Sequence, residues 1–247
     1  MPLRLLCITA HPDDECFAFG GALALSAQRG IETNLICLTD GSAGSYRGAA
    51  TTAAELGQLR RSELAASCKL LGVRNYEVLD YQDGQLEFAS FSKLASDLVQ
   101  RIRTLRPHVI LTFGGDGAIN THPDHTVTSG VATAAFHWAG HPKRFPTLGE
   151  LHTPQRLFYL TTDFFVEGRH RHIPAPWTHT LDVASVLPVR LEAMKAHTTQ
   201  APLMERAGPL IFAKHGNTEH YLLAASPIPQ PATQSTDLFE GVSQEIA

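Results

Sequence analysis

The sequence predicts an α/β fold with a mostly parallel central sheet, because strand-like apolar runs alternate with helical patterns along its first half. Residues 3–9 and 32–39 are apolar runs of strand length, which is typical of strands buried on both faces. Between them, residues 15–29 have the pattern of a helix, and Gly30 provides a natural helix end. A strand, a helix and a second strand joined by short turns form a right-handed βαβ unit.

The remaining predicted elements continue this alternation. Further strands are expected at 76–81, 108–113, 156–161, 179–183 and 220–225, and further helices at 55–71, 91–105, 124–138 and 185–197. Thirteen of the 15 prolines lie at or after Pro107, so we expect an irregular C-terminal part. We assign one domain to residues 1–225 and a Pro-rich tail to residues 226–247, which hold too little apolar material to fold alone.

Composition and charge argue against several classes of protein. Lys and Arg number 20 against 24 Asp and Glu, a net charge of −4, and no basic run could follow a nucleic-acid backbone. No stretch approaches the ~18 apolar residues of a membrane span. The apolar run Leu5–Ala10 ends at His11, too early for a secretory signal, so we expect a cytoplasmic protein. The four cysteines have no metal-ligand spacing and predict no disulfide framework. A homo-oligomer remains compatible with the sequence.

Two similar His-Pro-Asp segments each follow a predicted strand. The first is His11-Pro12-Asp13-Asp14, and the second is His122-Pro123-Asp124-His125. In an open α/β sheet, turns of this kind converge at the crevice outside the carboxyl ends of the strands. The two segments are therefore expected to meet in space although they lie far apart in sequence.

Three residues of these segments form a plausible ligand set for a metal ion. His11 and Asp14 are three apart across a helix entry, and His125 lies in the first turn of the next helix and points inward. Two imidazoles and one carboxylate suit Zn²⁺, or another divalent cation, and leave a fourth position for water, as in catalytic sites. Asp13 and His122 remain beside the metal without a ligand role, and a carboxylate next to an acidified water suits a general base.

Helix capping is the alternative explanation of these segments. A histidine or aspartate at a helix start is often a cap, and Asp124 is expected to be structural, since a carboxylate in a first turn is favoured by the helix dipole. Asp13 and Glu15 could have the same role. Two such segments at equivalent strand ends, with an added inward histidine, are hard to obtain from capping alone.

The predicted helix 55–71 carries two charged residues on its apolar side. Its apolar stripe is expected to consist of Leu56, Leu59, Leu64, Leu70 and Leu71, and Arg60 and Glu63 fall within it. Inward charges must be paired or must face a polar cavity, because burying an unpaired charge is costly. Arg60 and Glu63 could pair with each other as a structural unit. Alternatively, Arg60 contacts substrate or an oxyanion and is held by Glu63.

Several of these motifs together resemble those of one known family. The residues are AHPDDE after the first strand, Arg60-x-x-Glu63, Asp83-Gly84 and the distal HPDH, with a weaker similarity at Lys195-x-His197-x-x-Gln200, where Thr199 departs from the usual Ser. In this order they resemble the LmbE-like (PIG-L) family of zinc-dependent N-acetylglucosaminyl deacetylases. The resemblance implies a Rossmann-like three-layer domain.

The resemblance also implies roles for individual residues. His11, Asp14 and His125 would be the zinc ligands, Asp13 the general base, and His122 the residue that stabilises the oxyanion or protonates the leaving amine. Arg60 would contact the substrate, and His197 is a weaker candidate for substrate binding. The implied reaction is hydrolysis of the N-acetyl group of a small N-acetylglucosamine-containing glycoside or glycolipid precursor.

Other functions stay open at this point. The same metal site could serve an amidase that cleaves a larger acyl group or the amide of a thiol conjugate, or a zinc-using transferase or lyase. A non-catalytic sugar- or nucleotide-binding protein would draw on Gly20-Gly21, but no G-x-G-x-x-G follows the first strand. His170, His172 and His179 could suggest a second metal site, yet their alternation with arginine favours a solvated edge or lid.

Overall fold

The computed structural model describes residues 2–162, 173–206, 216–227 and 234–245, and it centres on one seven-stranded sheet. The strands are β1 (Arg4–Thr9), β2 (Glu32–Thr39), β3 (Asn75–Tyr81), β4 (Val109–Phe113), β5 (Arg156–Thr161), β6 (His179–Asp182) and β7 (Thr218–Ala225). Their order across the sheet is β3-β2-β1-β4-β5-β7-β6. The helices are α1 (Asp14–Phe17), α2 (Gly20–Gln28), α3 (Ala53–Leu71), α4 (Phe91–Leu105), α5 (Pro123–Ala139) and α6 (Leu187–Lys195).

The predicted fold class is confirmed. Strands β1 to β5 pair in parallel, and β7 pairs antiparallel with both β5 and β6. Alternate residues of β1 point to opposite faces, so that Leu5 and Cys7 join one apolar core while Leu6 and Ile8 join the other. Helices α1, α2, α3 and α6 cover the first core, and α4 and α5 cover the second. The result is a three-layer α/β domain.

The strand order reverses at β1, and this reversal fixes the location of the site. β1 pairs with β2 on one side and with β4 on the other, so the connections leave its carboxyl end in two directions. Crevices form at such reversals. The two His-Pro-Asp segments follow β1 and β4, and the parallel pairing brings them to the same edge.

The single helix predicted over residues 15–29 is wrong, because the structure contains two helices there. The second begins at Gly20, and a buried carboxylate caps it: Gly21 N and Ala22 N donate to Glu219 on β7 over 2.7 and 2.9 Å. A Cβ on Gly21 would lie 2.4 Å from Val183 Cγ1, so only glycine allows this approach. A capping group so distant in the chain leaves no local signal in the sequence.

Helix α3 has a standard capping motif at each end. Thr52 and Glu55 form a capping box, and Gly72 ends the helix in a left-handed conformation. Arg60 and Glu63 are buried as predicted. The apolar stripe is narrower than expected, because Leu59 and Leu70 are 39% and 46% exposed.

Part of the predicted tail packs on the domain. Leu238 and Phe239 are buried in the first core, Ser235 forms a bridge with His179, and Asp237 pairs with Arg29 at 2.7 Å. These contacts involve only residues 234–245 of the tail. The division of the chain at residue 225 therefore stays a prediction.

Across the described ranges, no helix combines the length and the apolar character that crossing a membrane would require. Each of the four cysteines, all within the described part, is a buried free thiol.

The buried cap on α2 generates a stability prediction. Glu219→Ala would leave two helix N–H groups without an acceptor and would remove the carboxylate that Arg190 faces at 3.4 Å. We expect the free energy of unfolding to fall by about 3–5 kcal/mol, the range for breaking a buried ion pair. Urea unfolding measures the change. Glu192→Ala removes an exposed pair with Lys195 and should be neutral within about 0.5 kcal/mol. Equal effects of the two substitutions would contradict the assignment.

Candidate metal centre and catalytic residues

The two His-Pro-Asp segments meet as the sequence predicts. His11 follows β1, Asp14 opens α1, and His125 lies in the first turn of α5. Their nitrogen and carboxylate oxygen atoms lie within 4.8 Å of one another, and all three side chains are buried. The cluster therefore brings together the three residues predicted as ligands.

The imidazole of His125 is oriented so that one nitrogen faces the cluster. Nδ1 lies 3.0 Å from the carbonyl oxygen of Gly117, which can only accept, so Nδ1 carries the proton. Nε2 is thereby turned toward the cluster, lies 3.2 Å from Asp14 Oδ1, and has no hydrogen-bond partner among the residues that the structure describes. Phe113 stacks on the ring with centroids 3.9 Å apart. A buried, oriented nitrogen without a partner is what a metal ion would satisfy.

His11 is oriented by two carboxylates. Its Nε2 donates to Asp124 Oδ2 at 3.1 Å and lies 3.2 Å from Asp83 Oδ1, which leaves Nδ1 to face Asp14, 3.6 Å away. Burial lowers the pKa of His11, but the hydrogen bonds to Asp124 and Asp83 outweigh it and raise that pKa to about 10. The neighbouring carboxylates thus favour the protonated imidazole, and a divalent ion would replace its Nδ1 proton.

Asp14 is held as a carboxylate. Its Oδ2 accepts hydrogen bonds from the backbone N–H groups of Ala10 and His11, at 3.1 and 2.8 Å. Burial raises its pKa, but the nearby imidazoles of His125 and His11 outweigh this effect and lower it. Two imidazole nitrogens and one ionised carboxylate oxygen, each oriented by other protein groups, fit a divalent cation such as Zn²⁺.

Asp13 has an unusual backbone conformation beside this cluster. Its φ is 115°, in the left-handed region that residues other than glycine rarely adopt, and such strain concentrates at functional sites. Its carboxylate accepts from Arg60 Nη2 at 2.7 Å, and 15% of its side chain is exposed. Burial raises the pKa of Asp13 to about 6 despite the opposing charge of Arg60.

His122 caps helix α5 and also lies beside His11. Its Nδ1 accepts from the backbone N–H of Asp124 at 3.1 Å and so caps α5. Its ring lies edge-on to that of His11, with centroids 4.7 Å apart. Burial, together with the neighbouring His11 and His125, lowers the pKa of His122. The neutral ring therefore carries its proton on Nε2, where it can donate a hydrogen bond.

Arg60 and Glu63 do not form the structural pair that the sequence left open. Arg60 donates to the carbonyl oxygens of Pro12 and Gly41 and to Asp13. Glu63 instead accepts from the side chain of Thr198 and from both the backbone and side chain of Thr199, each at 2.7 Å. The pairing alternative is wrong, because the two side chains point to different partners. A substrate contact by Arg60 stays a prediction.

The sequence did not predict the contacts that three carboxylates make in and beside the cluster. Asp83 and Asp124 orient His11, and Asp124 also accepts from the backbone of Gly84 and Leu86 at 2.8 and 3.1 Å. Asp124 does more than balance the helix dipole. Glu15 accepts a hydrogen bond from His197 over 2.7 Å, and both side chains are fully buried. His197 is the residue that was predicted as a candidate for substrate binding. The Asp83-Gly84 and HPDDE motifs contained these residues, but only their spatial contacts reveal their roles.

Of the three histidines proposed as a solvated edge or lid, His170 and His172 lie outside the residues that the structure describes. His179 is on β6, where its ring packs edge-on against Phe158 with centroids 4.7 Å apart.

The mostly parallel sheet carries a buried His-Asp-His cluster at its carboxyl edge, at the point where the strand order reverses. A protein with such a cluster is able to hold a divalent metal ion. The PIG-L family, described as GlcNAc-PI de-N-acetylase, matches residues 6–136. The chain belongs to this family, and the resemblance noted from its motifs is confirmed.

Individual relatives agree with this assignment. The chain is 31% identical to the 1D-myo-inositol 2-acetamido-2-deoxy-alpha-D-glucopyranoside deacetylase of Rhodococcus jostii (strain RHA1), across 80% of this chain and 81% of that protein. Its structure is similar to that of N,N'-diacetylchitobiose deacetylase from Pyrococcus horikoshii, with a TM-score of 0.75, 22% identity, and coverage of 88% and 82%. It is also similar to GalB, the 4-carboxy-2-hydroxymuconate hydratase from Pseudomonas putida KT2440, with a TM-score of 0.73, 19% identity, and coverage of 94% and 100%. The two structural likenesses show the fold alone.

The geometry of the cluster predicts the effect of removing one ligand. We expect the protein to bind about one zinc ion per chain, as suits a three-ligand site, and His125→Ala to lose it. The fold should persist, because His125 lies in the first turn of its helix. Elemental analysis after dialysis measures the metal, and circular dichroism checks the fold. His141→Ala, which removes an exposed histidine, is the control. Full zinc content in His125→Ala would contradict the ligand assignment.

Proposed function

We propose that the protein is a zinc-dependent hydrolase that removes the N-acetyl group from an N-acetylglucosamine-containing small molecule in the cytoplasm. The observation that carries this proposal is the convergence of His11, Asp14 and His125, with Asp13 and His122 beside them. Membership of the PIG-L family and the deacetylase named for the Rhodococcus relative support the reaction class.

The metal and the general base have separate tasks in this proposal. A zinc ion held by His11, Asp14 and His125 would lower the pKa of a coordinated water to about 7 and polarise the amide carbonyl. Asp13 takes the proton of the attacking water, since it is next in sequence to a ligand and partly exposed. Arg60 orients that carboxylate through a 2.7 Å contact with its Oδ2.

His122 can act as a hydrogen-bond donor to the scissile amide. Its Nε2–H can donate to the oxyanion that develops on the carbonyl oxygen. The proton that Asp13 took from the water then passes to the leaving nitrogen, and the C–N bond breaks to give acetate and a free amino sugar. The lowered pKa of His122 keeps its ring neutral, so that Nε2–H acts as a hydrogen-bond donor and not as the source of this proton.

The binding-protein alternative loses its supporting feature. Gly20 and Gly21 allow α2 to approach β7 and α6 closely, and the backbone of Gly21 is bound by Glu219, so these glycines have a packing role. An amidase for larger acyl groups would use the same cluster, and only substrates separate it from a deacetylase.

Acetate release tests the function. The zinc-loaded protein is incubated with N-acetylglucosamine, an N-acetylglucosaminyl inositol, diacetylchitobiose, and glucosamine derivatives carrying longer acyl groups. We expect equal amounts of acetate and free amine from at least one N-acetyl sugar, and loss of both after chelation of the metal. Cleavage restricted to the longer acyl groups would favour the amidase. Binding of an N-acetyl sugar without any release would favour the non-catalytic alternative.

Asp13→Asn tests the general base separately from the metal. The amide cannot accept the proton, so we expect kcat to fall by about 10²–10⁴. Zinc content should stay unchanged, because Asp13 is not a ligand. His122→Ala should act in the same direction and less severely. Asp80→Asn, at a side chain that is 94% exposed, is the control. Turnover of Asp13→Asn close to that of the wild type would mean that the base lies elsewhere.

A further inference from the structure

A buried chain of hydrogen bonds connects the strained peptide of Asp13 to the C-terminal half of the protein. The backbone N–H of Asp13 donates to Glu15 Oε2 at 2.9 Å. The other oxygen of Glu15 accepts from Ser67 Oγ at 2.5 Å and from His197 Nε2 at 2.7 Å. Glu15 and His197 are 182 residues apart in sequence.

The position of His197 is not that of a substrate-contacting residue. Its side chain and that of Glu15 are both 0% exposed. A ligand in the crevice could not reach the imidazole without unfolding its surroundings. Its hydrogen bond toward the site goes to Glu15.

The segment that carries His197 is itself fixed from α3. Glu63 accepts three hydrogen bonds from Thr198 and Thr199, which directly follow the histidine, and Glu63 Oε2 lies 3.9 Å from His197 Nδ1. The buried carboxylate of Glu63 therefore has hydrogen-bond partners. Its contacts hold the short helical turn that follows His197, which lies against Glu15. Arg60, one turn earlier on α3, holds the carboxylate of the same Asp13.

The geometry points to His197 as a positioning residue of the reaction. We propose that His197, through Glu15, holds the Asp13 peptide in its left-handed conformation, so that the carboxylate faces the attacking water. This inference rests on the proposed function of Asp13 as the base. A residue with φ of 115° persists only when surrounding contacts hold it there, and Glu15 supplies the contact to its N–H group.

The experiment compares His197→Leu, which removes the donor, with His197→Gln, whose amide N–H can replace it. In the zinc-loaded full chain we expect kcat of His197→Leu to fall about 10–100-fold, the usual effect of losing a supporting contact, with KM and zinc content little changed. His197→Gln should recover most of that loss. His152→Leu is the matched control: His152 is equally buried and donates to the carbonyl of Pro107 before β4, so its loss should lower Tm and leave kcat unchanged.

Crystal structures of the zinc-loaded variants supply a readout that does not depend on turnover. In His197→Leu we expect the Asp13 N to Glu15 Oε2 separation to exceed hydrogen-bonding distance and φ of Asp13 to change. Asp13 in its original place would overturn the proposal, whatever the activity. A displaced Asp13 in a protein whose wild type releases no acetate would leave the positioning link intact and reject the proposed function instead. Should His197→Leu fail to fold, His197→Asn takes its place, because the shorter amide side chain cannot reach Glu15 Oε1, and an unmoved Asp13 in that variant would overturn the proposal.

Discussion

The close approach of buried carboxylates and imidazoles at the carboxyl ends of β1 and β4 is the constraint on which the rest of the site depends. Asp14, Asp83 and Asp124 all face His11 within 3.6 Å, and His125 adds a second imidazole beside Asp14. Carboxylates this close together are stabilised by added positive charge. A divalent cation would supply such charge, and the parallel pairing of β1 with β4 supplies the geometry.

Around this cluster the carboxylates of Asp13 and Asp14 have different surroundings although the two residues are adjacent in sequence. Asp14 is drawn inward by two backbone N–H groups, while the reversed φ of Asp13 turns the neighbouring carboxylate toward Arg60. Opposite shifts of pKa follow, because Asp14 lies against imidazoles whereas burial dominates at Asp13. One dipeptide thus combines a carboxylate that is stabilised as an anion with one whose protonated form is favoured by burial.

Local signals explain which parts could be predicted from the sequence. The βαβ unit and the two His-Pro-Asp turns depend on short stretches of sequence, and a general rule of α/β sheets brings the turns together. The break before Gly20, the partners of Glu63 and the orientation of His11 by Asp83 could not be predicted in this way. Each depends on contacts between distant segments, and no periodicity encodes which buried carboxylate meets which donor.

The Glu219 cap on α2 means that the residues matched by the family, 6–136, do not contain everything their own helices require. Exchange of C-terminal halves between relatives, whether by recombination or by protein engineering, must therefore preserve a carboxylate at this point of β7. A chimaera whose C-terminal half lacked that carboxylate would leave the first turn of α2 without the acceptor of its N–H groups.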